Sequence, residues 1–296
     1  MKTLLKLVLV CCLINPAFAC INRKGTKLDG DETHMSFSPV YSLRDSLKTD
    51  LTKEGARLEE KLRGESGPTN RNDYAVALIY LGRLDEAISL LQELEAEEPG
   101  DYATAANLGT AYELAGKNEL ALKWIGEGIR RNPDAHQGTE WIHVKILEAK
   151  IQQQQNPDYF KTHSVLNLDL RKITEDPKFL TVGDKTRSAH DLKQDMLYQL
   201  QERLKFVKQK DPSVASLLFD FGVLEAATAT VETARPLMSM AVDFGYPTDQ
   251  VEPFYRKFDH AIMVARTRKI TFYSMIGLAI VAFLAYSVKR RWIAKV

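Results

Sequence analysis

The sequence predicts an all-α solenoid of stacked helix–turn–helix units, with a small insert and a C-terminal membrane helix. Three observations carry this. A glycine, an alanine and a proline return at one interval of 34 residues: Gly82 as Gly116, Ala87 as Ala121, Pro99 as Pro133. Apolar residues between these markers recur at three- and four-residue spacing, the stripe of an amphipathic helix. The stretch Ile270–Val288 holds 19 residues without a charge.

The period of about 34 residues is that of a helical pair stacked on its neighbours. Gly82 and Gly116 stand where the first helix of each unit ends, a position that wants a left-handed residue. Ala87 and Ala121 are small where the two helices of a unit approach each other. Pro99 and Pro133 stop the second helix, because proline cannot continue it. Asp101 and Asp134 then stand where an N-cap for the next helix is wanted. The apolar stripes agree: Leu78, Leu91 and Leu94 return as Tyr112, Ile125 and Gly128, and Ile88 as Leu122.

The run Asn107-Leu108-Gly109, Tyr112, Gly116, Ala121, Pro133 resembles the signature of the tetratricopeptide repeat (TPR) family. The aromatic residue which that family carries near the start of the first helix is replaced here by Ala105. The resemblance implies a TPR-like solenoid of stacked helix–turn–helix units whose concave face, lined by the first helices, binds a protein or peptide. It covers units at about 70–100 and 101–134. The same phase extends downstream to a unit at 213–247, in which Pro212, Gly222, Ala234, Ala241 and Pro247 hold the marker places. Ala229 replaces the turn glycine there, and Pro236 predicts a late start or a kink in the second helix.

More than one unit of chain lies between Pro133 and Pro212, which we read as a split unit over 135–212 with an insert at 155–187. Its first helix holds Trp141 and Leu147. Its second opens on the Ser188/Asp191 capping pair and carries the stripe Leu192, Met196, Leu200, Leu204, Val207. Within the insert, "VLNLDL" alternates as a half-buried strand does, and "KFLTV" could pair with it as a hairpin.

The flanks complete a repeat region of 43–247. Residues 1–19 have two lysines, a short apolar run and Ala17-Phe18-Ala19, the pattern of an export signal peptide. Cys20 follows the expected cut. The arrangement resembles a bacterial lipoprotein signal, which makes Cys20 a candidate for lipidation. Residues 20–42 read as a polar tether, and Leu47, Leu51, Leu58 and Leu62 as one capping helix. Val251, Phe254, Phe258 and Ile262 stripe a second capping helix at 248–269, which could continue straight into a transmembrane helix at 270–288. That span is roughly 28 Å long as a helix, enough to cross the hydrocarbon layer. Phe272, Tyr273, Tyr286 and Trp292 flank it as interfacial aromatics, and the basic tail 289–296 follows. The export signal puts the body on the periplasmic side of the inner (cytoplasmic) membrane and the tail in the cytoplasm.

Charge and motifs narrow the function. The 40 basic and 39 acidic residues nearly cancel, so no basic stripe argues for nucleic acid. There is no G-x-S-x-G, no phosphate-binding glycine loop, no H-E-x-x-H and no C-x-x-C. No cofactor and no small-molecule substrate are expected, and Cys20 is the single cysteine after the signal. His136, Glu140 and His143 fall on one helix face, where they either hold a metal or act as packing and surface groups. The first reading would make this a metal-dependent enzyme; an inert structural spacer is a further alternative. The expected role is non-enzymatic: a scaffold or assembly factor at the cell envelope. By register its partner groove is lined by Asn72, Val76, Ile79 and Tyr80, then Ala106, Thr110, Glu113 and Leu114, then Glu140, Val144, Leu147 and Glu148. Tyr80 and Leu114 beside Glu113 and Glu148 suit an apolar peptide with some positive charge.

Overall fold

The structure is a computed structural model that describes residues 23–63, 67–168 and 177–293. The expected signal peptide and Cys20 lie outside the described residues. The fold is all-α with two small hairpins.

The repeat markers act as their chemistry requires. Helices α3 (Pro68–Tyr80) and α4 (Leu84–Glu97) form the first unit, and α5 (Tyr102–Leu114) and α6 (Asn118–Arg131) the second. Gly82 and Gly116 adopt φ of 73° and 75°. Around Gly82 the amide of Arg83 donates to Leu78 O and that of Gly82 to Ile79 O; Gly116 and Lys117 repeat the pattern on Glu113 and Tyr112. These bonds satisfy the last carbonyls of each first helix. Ala87 and Ala121 are fully buried. Asp101 caps α5 by accepting from the Thr104 amide. Asp134 makes no such cap; instead a turn at Ala135–Gly138 takes His136 and Gln137 into the left-handed region.

The split unit consists of α7 (Glu140–Gln155) and, after a one-turn helix α8 (Tyr159–Thr162) and a hairpin, α9 (Ala189–Phe206). The hairpin is not the expected one. Strand β3 (Phe179–Val182) pairs antiparallel with β4 (Lys185–Ser188), on the near side of Gly183, and residues 165–168 are not a strand. The local Gly-Asp turn brings its own flanks together at a smaller loop-closure cost than a partner some ten residues upstream would incur. Val165 and Leu166 pack into the core instead. Ser188 caps α9 as expected, and Leu192, Met196, Leu200 and Leu204 are fully buried.

The last unit is α10 (Pro212–Thr228) and α11 (Val231–Asp243). Pro212 opens α10 at its first turn, where its missing N–H is no loss. Ala229 needs no left-handed turn, because it sits at φ −136° and Thr230 caps the next helix. Helix α11 neither starts late nor breaks: it runs through Pro236 in its second turn.

The N-terminal flank differs most from expectation. Residues 24–34 are not a tether but a hairpin, β1 (Lys24–Thr26) with β2 (Glu32–His34). It docks on α11 where Thr26 donates from both its amide and its hydroxyl to Glu232, each at 2.8 Å. The expected single capping helix is two, α1 (Val40–Leu47) and α2 (Leu51–Leu62), separated at Thr49–Asp50, where Asp50 caps α2. Helix α1 packs on α9 and α11, whereas α2 packs on α3. The segment therefore ties the last unit to the first. At the other end α12 (Thr248–Ile293) is one helix of 46 residues. Val251 and Phe258 are buried; from Arg266 to Tyr286 its side chains are exposed, and it is long and apolar enough to cross a membrane.

Gly116→Ala would force a Cβ into the left-handed region. It is expected to lower unfolding free energy by about 1–2 kcal/mol, read as a shift in the urea midpoint of the detergent-solubilised chain.

Candidate binding groove

The first helices of the two leading units lie side by side and present Val76, Ile79, Tyr80, Thr110 and Leu114 to a common cavity of about 420 Å³. Its far wall is α9, which contributes Gln199, Glu202, Arg203, Phe206 and the following Val207. The rings of Tyr80 and Phe206, both part of its lining, pack at a tilt with centroids 5.9 Å apart. Leu114 keeps 36 % exposure, high for a leucine in a concave surface.

The floor is a network of charges. Glu113 is buried and receives Arg203 Nη1 at 2.6 Å, His143 Nε2 at 2.7 Å and Lys150 Nζ at 2.9 Å. Glu140 links the two imidazoles: Oε1 lies 2.8 Å from His136 Nδ1, and Oε2 makes a longer 3.3 Å ion-pair contact with His143 Nδ1. Burial pushes the Glu113 carboxyl up, but Arg203, His143 and Lys150 more than reverse this and hold it well below the usual carboxylate range. Burial likewise opposes ionisation of Glu140, and its two histidines bring it down to about 2. His143 is pushed down by burial yet raised overall by Glu113 and Glu140, and His136 is raised by its bond to Glu140. The network thus joins unit two to both helices of the split unit, α7 and α9, through contacts between opposite charges.

This arrangement explains His136, Glu140 and His143 without a metal. Each carboxylate is committed to cations, and among the described residues no group of three His, Cys, Asp or Glu side chains is arranged to hold a metal ion.

Of the twelve groove positions expected from register, seven line the cavity: Val76, Ile79, Tyr80, Thr110, Glu113, Leu114 and Glu140. Asn72 is buried at its edge, donating to Thr104 Oγ1 and accepting from Asn107. Ala106 packs against Gly128 within its own unit. Leu147 is fully buried, Val144 packs on the same core, and Glu148 opens on the other side beside Lys145. Val144 and Glu148 share one cause. Glu140 and His143, which do line the cavity, stand 33 residues after Asn107 and Thr110, which also line it. Helix α7 therefore enters one residue out of phase after the left-handed turn at 136–138. One residue is about 100° of helix rotation, enough to turn Val144 and Glu148 away, whereas Leu147 takes the place of Leu114 and is instead covered by the core. Arg203 and Phe206 were missed because the period assigns the groove to first helices alone. The signal for Arg203 is a guanidinium three residues after Leu200, at the border of an otherwise apolar stripe.

Residues 78–139 match the family model described as Tetratricopeptide repeat. This segment is tetratricopeptide repeat. It runs from the end of α3 through α6, so the family's helical pairs supply one wall of the cavity, and the other comes from outside the matched stretch. No curated protein matches the chain.

Glu113→Ala would leave Arg203 and His143 buried without their carboxylate. It is expected to cost about 3–5 kcal/mol, measured by thermal or urea unfolding. The pH dependence follows from the same groups. The folded histidines hold protons more tightly than unfolded ones, which titrate at about 6.5. Their contribution is complete below that pH and is lost as pH rises through the folded values. The two glutamates act oppositely: their contribution is complete above the ordinary carboxylate value and is lost as pH falls, toward about 2 for Glu140. Melting temperature is therefore expected to peak between about pH 5 and 6.5 and to decline above it, and His143→Gln should flatten that alkaline decline.

Proposed function

We propose that this protein is a non-enzymatic interaction module, a scaffold or assembly factor at the cell envelope that holds a segment of a protein partner in the groove. Helix α12 anchors it in the inner (cytoplasmic) membrane through 270–288. The body is extracytoplasmic and the tail 289–296 cytoplasmic. Tetratricopeptide repeats generally mediate contacts between proteins, which supports the coarse reading. The observation that carries the finer one is the groove's wall: Tyr80, Leu114 and Phe206 offer apolar surface above a floor whose charges are already paired.

That pairing alters the expected ligand. Glu113 spends its charge on three cations and Glu148 opens elsewhere. The case for a positively charged peptide goes with them; an apolar segment remains. Such grooves take their affinity from a few aromatic anchors excluded from water.

A photo-crosslinking residue at position 114, in the full chain within native membranes, is expected to capture one defined protein. The same residue at exposed position 93 on the outer surface should not. Tyr80→Ala should lower the yield about tenfold, as loss of an aromatic anchor does. Equal capture at both positions, or none at 114, would remove the reading.

A further inference from the structure

Where α12 leaves the body, the N-terminal hairpin is fastened to its side. Gly30 makes the contact: a Cβ there would stand 2.7 Å from Val264 Cγ1, so only glycine lets the turn lie this close. Asp31 accepts from Arg268 Nη1 at 2.6 Å, and Glu32 lies 3.3 Å from Lys269 Nζ and 3.1 Å from Lys24 Nζ. Lys269 immediately precedes Ile270, the first residue of the uncharged run. At about 1.5 Å per residue, these pairs lie within roughly 3 Å, along the helix, of the point where the apolar run begins. Between hairpin and helix is a cavity of about 290 Å³ that also meets Phe272 and Tyr273.

We propose that this cavity binds the headgroup of a membrane phospholipid carrying both a phosphate and a primary ammonium. The inference rests on 270–288 spanning a bilayer, and it concerns a site separate from the groove. Its logic is the mixture of charges at one depth. Each lysine ammonium has three donors and its ion pair with Glu32 uses one; Arg268 pairs through a single nitrogen. Lys24, Arg268 and Lys269 therefore keep donors for phosphate oxygens. Asp31 and Glu32 stand between them as acceptors. A headgroup with phosphate alone would meet these carboxylates as like charges. A primary ammonium donates hydrogen bonds to them, whereas a quaternary one has no N–H to give. Phe272 and Tyr273 lie one helical turn deeper, at the level of the glycerol and first acyl carbons, where interfacial rings settle.

The test uses the full chain in nanodiscs holding equal parts phosphatidylethanolamine, phosphatidylcholine and phosphatidylglycerol, with retained lipid read by native mass spectrometry after release. Phosphatidylethanolamine is expected to be retained about fivefold or more over each of the others, the order of one net hydrogen bond at an exposed site. Glu32→Gln should abolish the preference, and Lys24→Gln, which removes a donor to the phosphate that all three lipids share, should lower the amount of phosphatidylethanolamine retained. Arg290→Gln, at the opposite end of the span, should change neither. Thermal melting checks that each variant is folded; because Glu32 also fastens the hairpin, Asp31→Asn is measured beside it as a second carboxylate variant. Equal retention of the three lipids, preference for phosphatidylglycerol, a preference that survives both carboxylate variants, or retention unchanged in Lys24→Gln would overturn the site. Displacement of the lipid by millimolar phosphoethanolamine or inorganic phosphate would overturn the assignment to a lipid. A chain that fails to enter nanodiscs would overturn the membrane span as well, which separates the two failures.

Discussion

The buried carboxylate of Glu113 is the point on which the concave side of this molecule is organised. It lies at the end of a first helix in the second repeat, yet its partners come from the two helices of the split unit, α7 and, some ninety residues on at Arg203, α9. Charges so buried are tolerated only when each is matched, because removing any one strands the others in a poorly polarisable interior. The cluster therefore fixes where α9 lies against the repeats more sharply than apolar packing does. Hydrophobic contact is indifferent to small shifts, whereas two guanidinium hydrogen bonds on one carboxylate are not.

A second constraint is end-to-end. An isolated helical stack touches only its neighbours and can flex. Here α1 rests on the last unit and α2 on the first, and Lys208 Nζ closes the passage between by donating to the carbonyls of Ser46, Leu47 and Leu204. The same N-terminal segment begins as the hairpin fastened to α12. Hairpin, α1 and α2 thus run from the exposed apolar helix to the first repeat and hold groove and apolar helix in one frame. Binding in the groove would be felt by a body attached to α12 through packed residues rather than through a loose chain.

The repeat period was legible in the sequence because each of its markers answers to local chemistry. A left-handed turn selects glycine, a close helix crossing selects alanine, and a helix end selects proline. None of these needs distant residues to be known, so Gly82, Gly116, Ala87 and Ala121 hold the places that spacing predicts. The stripe from Leu192 to Leu204 and the uncharged run after Lys269 are local in the same sense. So is the face shared by Val76, Tyr80, Thr110 and Leu114, as long as the period remains 34.

What tertiary structure alone decided begins where that period fails. The turn at 136–138 shifts α7 by one residue, and a residue's worth of rotation puts His143 in place of Val144 on the concave side. The residues 24–34 read as polar tether because two three-residue strands bury too little to show a pattern; they are ordered by Glu232, Arg268 and Lys269, all more than two hundred positions away. Arg203 belongs to the groove only because Glu113 is there to receive it. Periodicity reports which face of a helix is buried, since burial follows from the helix itself. Which charge meets which is set by the closing of the whole chain, and a single sequence carries no local trace of it.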